Sequence, residues 1–255
     1  MKLFSPCLVT ICFFASSTSI LAQEAVAVPS AEQVFEKCAK ACGGVEAING
    51  IKSVAITGEA TIPEFGLKGE VIANYRNGDL NIVADFNGTK TIQGVTNGQG
   101  WELSPTAGAR LMSDSETEQL LEAMTLRTYA DPKSVYASME NTGTAKVDDT
   151  ECYRVKLVRK IDDSAEEVLF SVATGLPVRS TGIRKTELGD VKIVTTMGDY
   201  KAFGGLTIPT KTVSQLQSIG VTYSANTKSV IYNQPIPDSA FALPDSISDL
   251  LKAKK

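Results

Sequence analysis

From Val54 to Tyr232 the chain alternates apolar and polar residues with period two over most of its length. In Leu67–Tyr75, the residues Leu67, Gly69, Val71, Ala73 and Tyr75 fall on one face, and Lys68, Glu70 and Asn74 on the other. Leu80, Ile82, Ala84 and Phe86 repeat the pattern. Alternation of this kind predicts strands with one dry and one wet face. The first strands are predicted at Val54–Ile62, Leu67–Tyr75, Leu80–Phe86, Thr89–Thr96 and Gly100–Ser104. Their spacing is set by three Asn-Gly pairs, Asn77-Gly78, Asn87-Gly88 and Asn97-Gly98, which recur every ten residues. Both residues of Asn-Gly tolerate the positive φ that a two-residue hairpin turn requires, so the pairs predict an antiparallel meander. A second series follows: Cys152–Ile161, Glu167–Ala173, Val178–Lys185, Val191–Lys201, Leu206–Gln217 and Val221–Tyr232, with turns at Thr174-Gly175, Gly189-Asp190 and Gly204-Gly205. The total is about eleven strands.

Helical period appears in two places. In Ala31–Cys42, the residues Val34, Phe35, Cys38, Ala41 and Cys42 share a face. Ser30 with Gln33 forms a capping box at its start, and Gly43-Gly44 stops it. Val45–Ile51 reads as a short turn-rich segment. Between the two strand series, Ser113 with Glu116 is a second capping box, opening a helix that carries Leu120, Leu121 and Met124. Asp131-Pro132 starts another, running through Val135, Tyr136 and Met139. Both helices must lay an apolar side on something, and the sheet is the large apolar surface nearby.

The start of the chain reads as a secretory signal. Lys2 is followed by a short apolar core, Leu8–Phe14, and a cleavage site at Ile20-Leu21-Ala22. The mature protein then begins near Gln23, with residues 23–30 a flexible leader, residues 31–244 a single domain, and residues 245–255 a loosely helical tail. No later run is long enough to span a bilayer, so a soluble periplasmic protein is expected. The net charge of −4, one unit more negative once Lys2 is removed, and the scattered basic residues argue against a nucleic-acid partner, which would need a basic face. The sequence contains no histidine. That removes the commonest general base, the histidine-dependent nucleophile pairs and the commonest metal ligand, and it biases strongly against an enzyme. No metal or cofactor is expected. Cys38, Cys42 and Cys152 follow the signal. All three are either small buried hydrophobes or partly bridged, and connectivity cannot be read from sequence.

The order of elements resembles the outer-membrane lipoprotein-sorting family, periplasmic carriers related to the lipoprotein chaperones of the Lol pathway. Three segments add to the resemblance: Ala173-Thr174-Gly175-Leu176-Pro177-Val178-Arg179, the stretch from Asp199 through Gly204-Gly205 to Thr210, and the closing Asn233-Gln234-Pro235-Ile236-Pro237-Asp238-Ser239-Ala240-Phe241. The resemblance implies a mainly β fold, an antiparallel incomplete barrel with helices over its concave face. It also implies a hollow that holds acyl chains. Its lipoprotein carriers use an inward-facing arginine in the lid contact, and no arginine here is matched to that role.

Under this reading the candidate ligand-binding residues are Phe86, Trp101, Met112, Leu120, Leu121, Met124, Val135, Tyr136 and Met139. They are bulky and apolar, and methionine adapts to irregular guests. Each also suits an ordinary packed core. The expected function is a periplasmic carrier holding lipid or lipoprotein acyl chains between the curved sheet and lid helices. The partners are a lipid or acylated protein and a membrane-associated donor or acceptor protein. The alternative is a non-catalytic sensor or protein-interaction module on the same fold.

Overall fold

The computed structural model describes residues 28–186 and 189–253. The signal segment, the first part of the leader and the last two lysines lie outside the described residues.

Among the described residues thirteen strands form one antiparallel sheet. The first arm is β1 (Ser53–Ile62), β2 (Leu67–Arg76), β3 (Asp79–Phe86), β4 (Thr89–Thr96), β5 (Gln99–Ser104) and β6 (Gly108–Leu111). The second arm is β7 (Tyr136–Val147), β8 (Thr150–Arg159), β9 (Ala165–Ser171), β10 (Pro177–Thr186), β11 (Gly189–Phe203), β12 (Leu206–Leu216) and β13 (Val221–Tyr232). The arms join where β1 pairs with β13, and β6 and β7 are the two free edges of an incomplete barrel. The three Asn-Gly turns form as expected, with φ of 50° to 55° at Asn77, Asn87 and Asn97 and positive φ at each following glycine.

The count of thirteen corrects the expected eleven. β6 is four residues long and hides behind a Ser-Pro-Thr-Ala turn. β7 was masked by the helical spacing of Val135, Tyr136 and Met139. The helix capped by Asp131 ends after one turn at Val135, because Tyr136 enters β7 and pairs with Arg159. β7 is also an edge strand with a bulge around Gly143 (φ 113°), so its alternation is interrupted. Gly189 and Asp190 begin β11, and the connection before them lies outside the described residues.

The helices are α1 (Ala31–Ala41), α2 (Val45–Asn49), α3 (Asp114–Thr125), α4 (Arg127–Ala130), α5 (Pro132–Val135) and α6 (Asp245–Ala253). Both expected capping boxes are present, Ser30 with Gln33 and Ser113 with Glu116. The segment expected to be turn-rich contains α2, whose Ile48 is buried in the core. Gly43 ends α1 with φ 120°, where the backbone comes so close to the Gly205 carbonyl that a Cβ would clash. Thr207 N–H donates to the Cys42 carbonyl, tying the end of α1 to the hairpin between β11 and β12.

The inner face of the sheet is filled from two sides. In the second arm, Phe35 and Cys38 of α1 and Cys42 at its C-cap pack with Val155, Leu157, Val168 and Phe170. In the first arm, Met124, Leu120 and Leu121 of α3 pack with Val54, Leu80 and Val95, and at the junction with Val230 of β13. Ile51, Leu126 and Tyr232 touch both clusters and make the core continuous. The outer face of the first arm is covered by the chain after β13. Arg76 donates to the Ile236 carbonyl, pairs with Asp238 at 2.9 Å and lies over the Phe241 ring. The segment expected to be a loosely helical tail contains α6, whose Ile247 is fully buried.

All three described cysteines are free and buried. Strand parity explains why Cys152 has no partner. Tyr153, Val155 and Leu157 point inward towards α1, so Cys152 points to the outer face, where it packs with Val147 and Leu169.

Candidate functional site

α3 connects the two open edges. On the first arm, Thr117 Oγ1 accepts from the Gly100 N–H, and a Cβ on Gly100 would collide with that side chain. Arg110 of β6 bonds Glu102 at 2.6 Å and Glu116 of α3 at 3.0 Å. On the second arm, Ser115 donates to Asp162 in the turn after β8, and Glu122 bonds Arg159 at 2.9 Å. An amphipathic helix is thus fastened across the gap of the barrel by polar contacts to each side.

Arg159 faces inward and contacts this helix. Its side chain is only 7% exposed, and it also lies 3.8 Å from Glu166. Burial opposes its charge, but the bond to Glu122 and the surrounding negative groups outweigh that and raise its pKa. The Tyr136 hydroxyl contacts Glu166, and burial with these carboxylates raises the phenol well above its ordinary value. Arg159 follows the inward parity of Tyr153, Val155 and Leu157, a signal present in the sequence but attached to a residue type normally assigned to solvent.

Beside α3 runs a cleft of about 520 Å³, within the range of small-molecule sites. One wall is a helical face: Asp114, Thr117, Glu118, Leu121, Glu122 and Thr125. Ile48, Ile51 and Tyr75 also line the cleft. Val135, Ile161 and Arg127 also border it.

Of the nine residues named from sequence, Leu121 and Val135 line this cleft. Leu120 and Met124 lie under α3 against the sheet. Tyr136 and Met139 belong to the cluster around α1, from β7 and not from a helix. Met112, buried, is held beside Gly100 at the entry to α3. Phe86 is inward-facing but at the opposite ends of the strands, where its ring covers Gly69. Trp101 is on the outer face. It pairs with Gly94, across from Asn81, and its indole lies on Gly94 and donates to Thr96 at 3.1 Å. Tyr75, Ile48, Ile51, Ile161 and the acidic face of α3 were not singled out from sequence. They meet only because α2, a hairpin end and α3 converge.

Away from α3 one rung of the inner face carries small side chains at Gly69, Ala60, Ala225 and Thr212 and ends at Met197. Around it Val71, Ala84 and Phe86 are half-buried, with no helix laid over them among the described residues.

No family model and no curated protein matches the sequence. Solved structures do match the fold. A DUF1329 family protein from Desulfovibrio piger superposes with a TM-score of 0.58 at 14% identity, covering 84% of this chain and 98% of that one. A LolA superfamily protein from Nitrosomonas europaea gives 0.52 at 12% identity, covering 85% and 99%. The chain shares its fold with these two proteins. A third structure, an outer-membrane lipoprotein-sorting protein domain from Vibrio parahaemolyticus, gives 0.51 at 12% identity, covering 86% and 99%. Likeness at this identity establishes the architecture expected from the sequence. Among the described residues no helix is long and apolar enough to cross a membrane.

Proposed function

We propose that the protein is a non-enzymatic periplasmic carrier that holds an acyl chain of a lipid or acylated protein between the curved sheet and its covering helices. The observation that carries this reading is the placement of α3. One side of the helix covers the apolar inner surface, and the other borders a cleft open to solvent. Supporting it are the shared fold with lipoprotein-sorting proteins and the half-covered inner surface beyond the helix.

Energetics favour a guest that competes with the helix. Each methylene removed from water contributes about 0.8 kcal/mol, so full enclosure of several chains would make release too slow for transfer. Here Leu120, Leu121 and Met124 already cover the inner face, and a guest must share or displace them. A membrane-associated donor or acceptor protein would complete the transfer.

The direct test is binding of a fluorescent fatty-acyl probe to the protein and to Leu121→Glu. Leu121 borders the cleft and is only half-buried, so the variant should fold while losing affinity. Unchanged affinity in a folded variant would reject the carrier reading. A sensor or interaction module is favoured by one feature, the free edge of β7, twelve residues long, which offers an unpaired backbone to another strand. Lipid extraction and mass spectrometry separate the two readings: co-purifying lipid favours the carrier, and an empty protein with a stable partner favours the module.

A further inference from the structure

We propose that the cleft beside α3 selects an amphiphile with a cationic head, its amine or ammonium group received by Asp114 and Glu118. This rests on the carrier reading and specifies its guest. α3 carries four carboxylates and no basic residue, counting Asp114, Glu116, Glu118 and Glu122. Two of them are committed: Glu116 to Arg110 and Glu122 to Arg159. Asp114 and Glu118 both line the cleft, and neither has a hydrogen-bond or ion-pair partner among the described residues. They stand four residues apart on one helical face, where like charges repel. A cation between them relieves that repulsion. The cleft lining also includes Tyr75, and a tyrosine ring attracts a cation and tolerates the methylenes next to it. Leu121, Ile48, Ile51 and Val135 line the same cleft and supply apolar surface for the tail. The opposing feature is Arg127, exposed at the other end of the helix and also lining the cleft. It is one cation against two uncommitted carboxylates, and the anionic probe in the test measures its pull.

The experiment displaces an environment-sensitive apolar dye from the mature protein. Three surfactants share one dodecyl chain and differ in head: trimethylammonium, carboxylate and uncharged maltoside, each used below its micelle concentration. The ammonium compound should displace the dye at a concentration about fivefold to tenfold lower than the carboxylate, the scale of two partly screened charge contacts. Added salt should shrink that ratio. Glu118→Gln combined with Asp114→Asn should bring the ratio to about one while leaving maltoside displacement unchanged. Glu140→Gln, an exposed carboxylate on β7, should leave the ratio intact. Equal displacement by the two charged heads, or preference for the carboxylate, overturns the cationic selection and leaves the carrier standing. Failure of all three surfactants to displace the dye removes the carrier and this inference with it.

Discussion

A guanidinium nitrogen of Arg159 lies 2.9 Å from Oε1 of Glu122, joining β8 to the helix that spans the open side of the barrel. Both side chains are largely out of water, at 7% and 15% exposure. Removing one partner of such a pair strands the other charge, whereas replacing both with apolar groups does not. Arg159→Met should therefore cost about 3 kcal/mol or more. Adding Glu122→Leu to it should restore part of the loss. Chemical denaturation of the two singles and the double measures this, and a double variant less stable than Arg159→Met would contradict it.

Under the proposed carrier function, the same pair would set how readily α3 lifts. If guest and helix compete for the inner face, Glu122→Gln should raise affinity for a fatty-acyl probe while lowering stability. Titration of a folded Glu122→Gln variant checks this, and a drop in affinity would argue that the helix is part of the binding wall.

Trp101 gives a control built into the chain. It is the single tryptophan, 1% exposed and on the face away from the hollow. Its emission should be blue-shifted and should not change when a non-absorbing fatty acid binds. Gly94→Ala should lower stability by about 1–3 kcal/mol, because the added Cβ meets the indole and the Leu80 carbonyl.

Glu116 predicts an acid-sensitive anchorage of α3. Burial raises its carboxyl pKa, but hydrogen bonds from Arg110 and Ser113 together hold it below the ordinary 4.5. A group whose folded pKa is depressed contributes stability above its unfolded value and loses it as the pH falls through the folded one. Glu116→Gln should thus lower the melting temperature at neutral pH, and the gap from wild type should narrow well below pH 4.5. A gap that persists in acid would place the contribution elsewhere.

The thiols should be silent in the native state. Cys38, Cys42 and Cys152 are free and buried. Labelling should be absent until denaturant is added, and should then reach all three with or without reductant. A reductant-dependent mass shift would reveal a bridge.

Much of the fold is legible in the sequence because its signals are local. Asn87-Gly88 forms a turn from the conformational freedom of two adjacent residues, and Ser113 with Glu116 caps a helix through contacts three residues apart. β7 was not legible because an edge strand packs on only one neighbour and its bulge at Gly143 breaks the period. The helical spacing of Val135, Tyr136 and Met139 was real, but the pairing of Tyr136 with Arg159 overrode it.

By itself the sequence determined an antiparallel meander with a helical interruption, because alternation, turn chemistry and capping act over a few residues. Only the tertiary structure decided which bulky residues face the hollow. Trp101 and Leu121 look alike as apolar candidates, yet one lies under the outer cover and the other on the cleft. The difference arises from register and from which segments cover each face, relations between residues far apart in the chain.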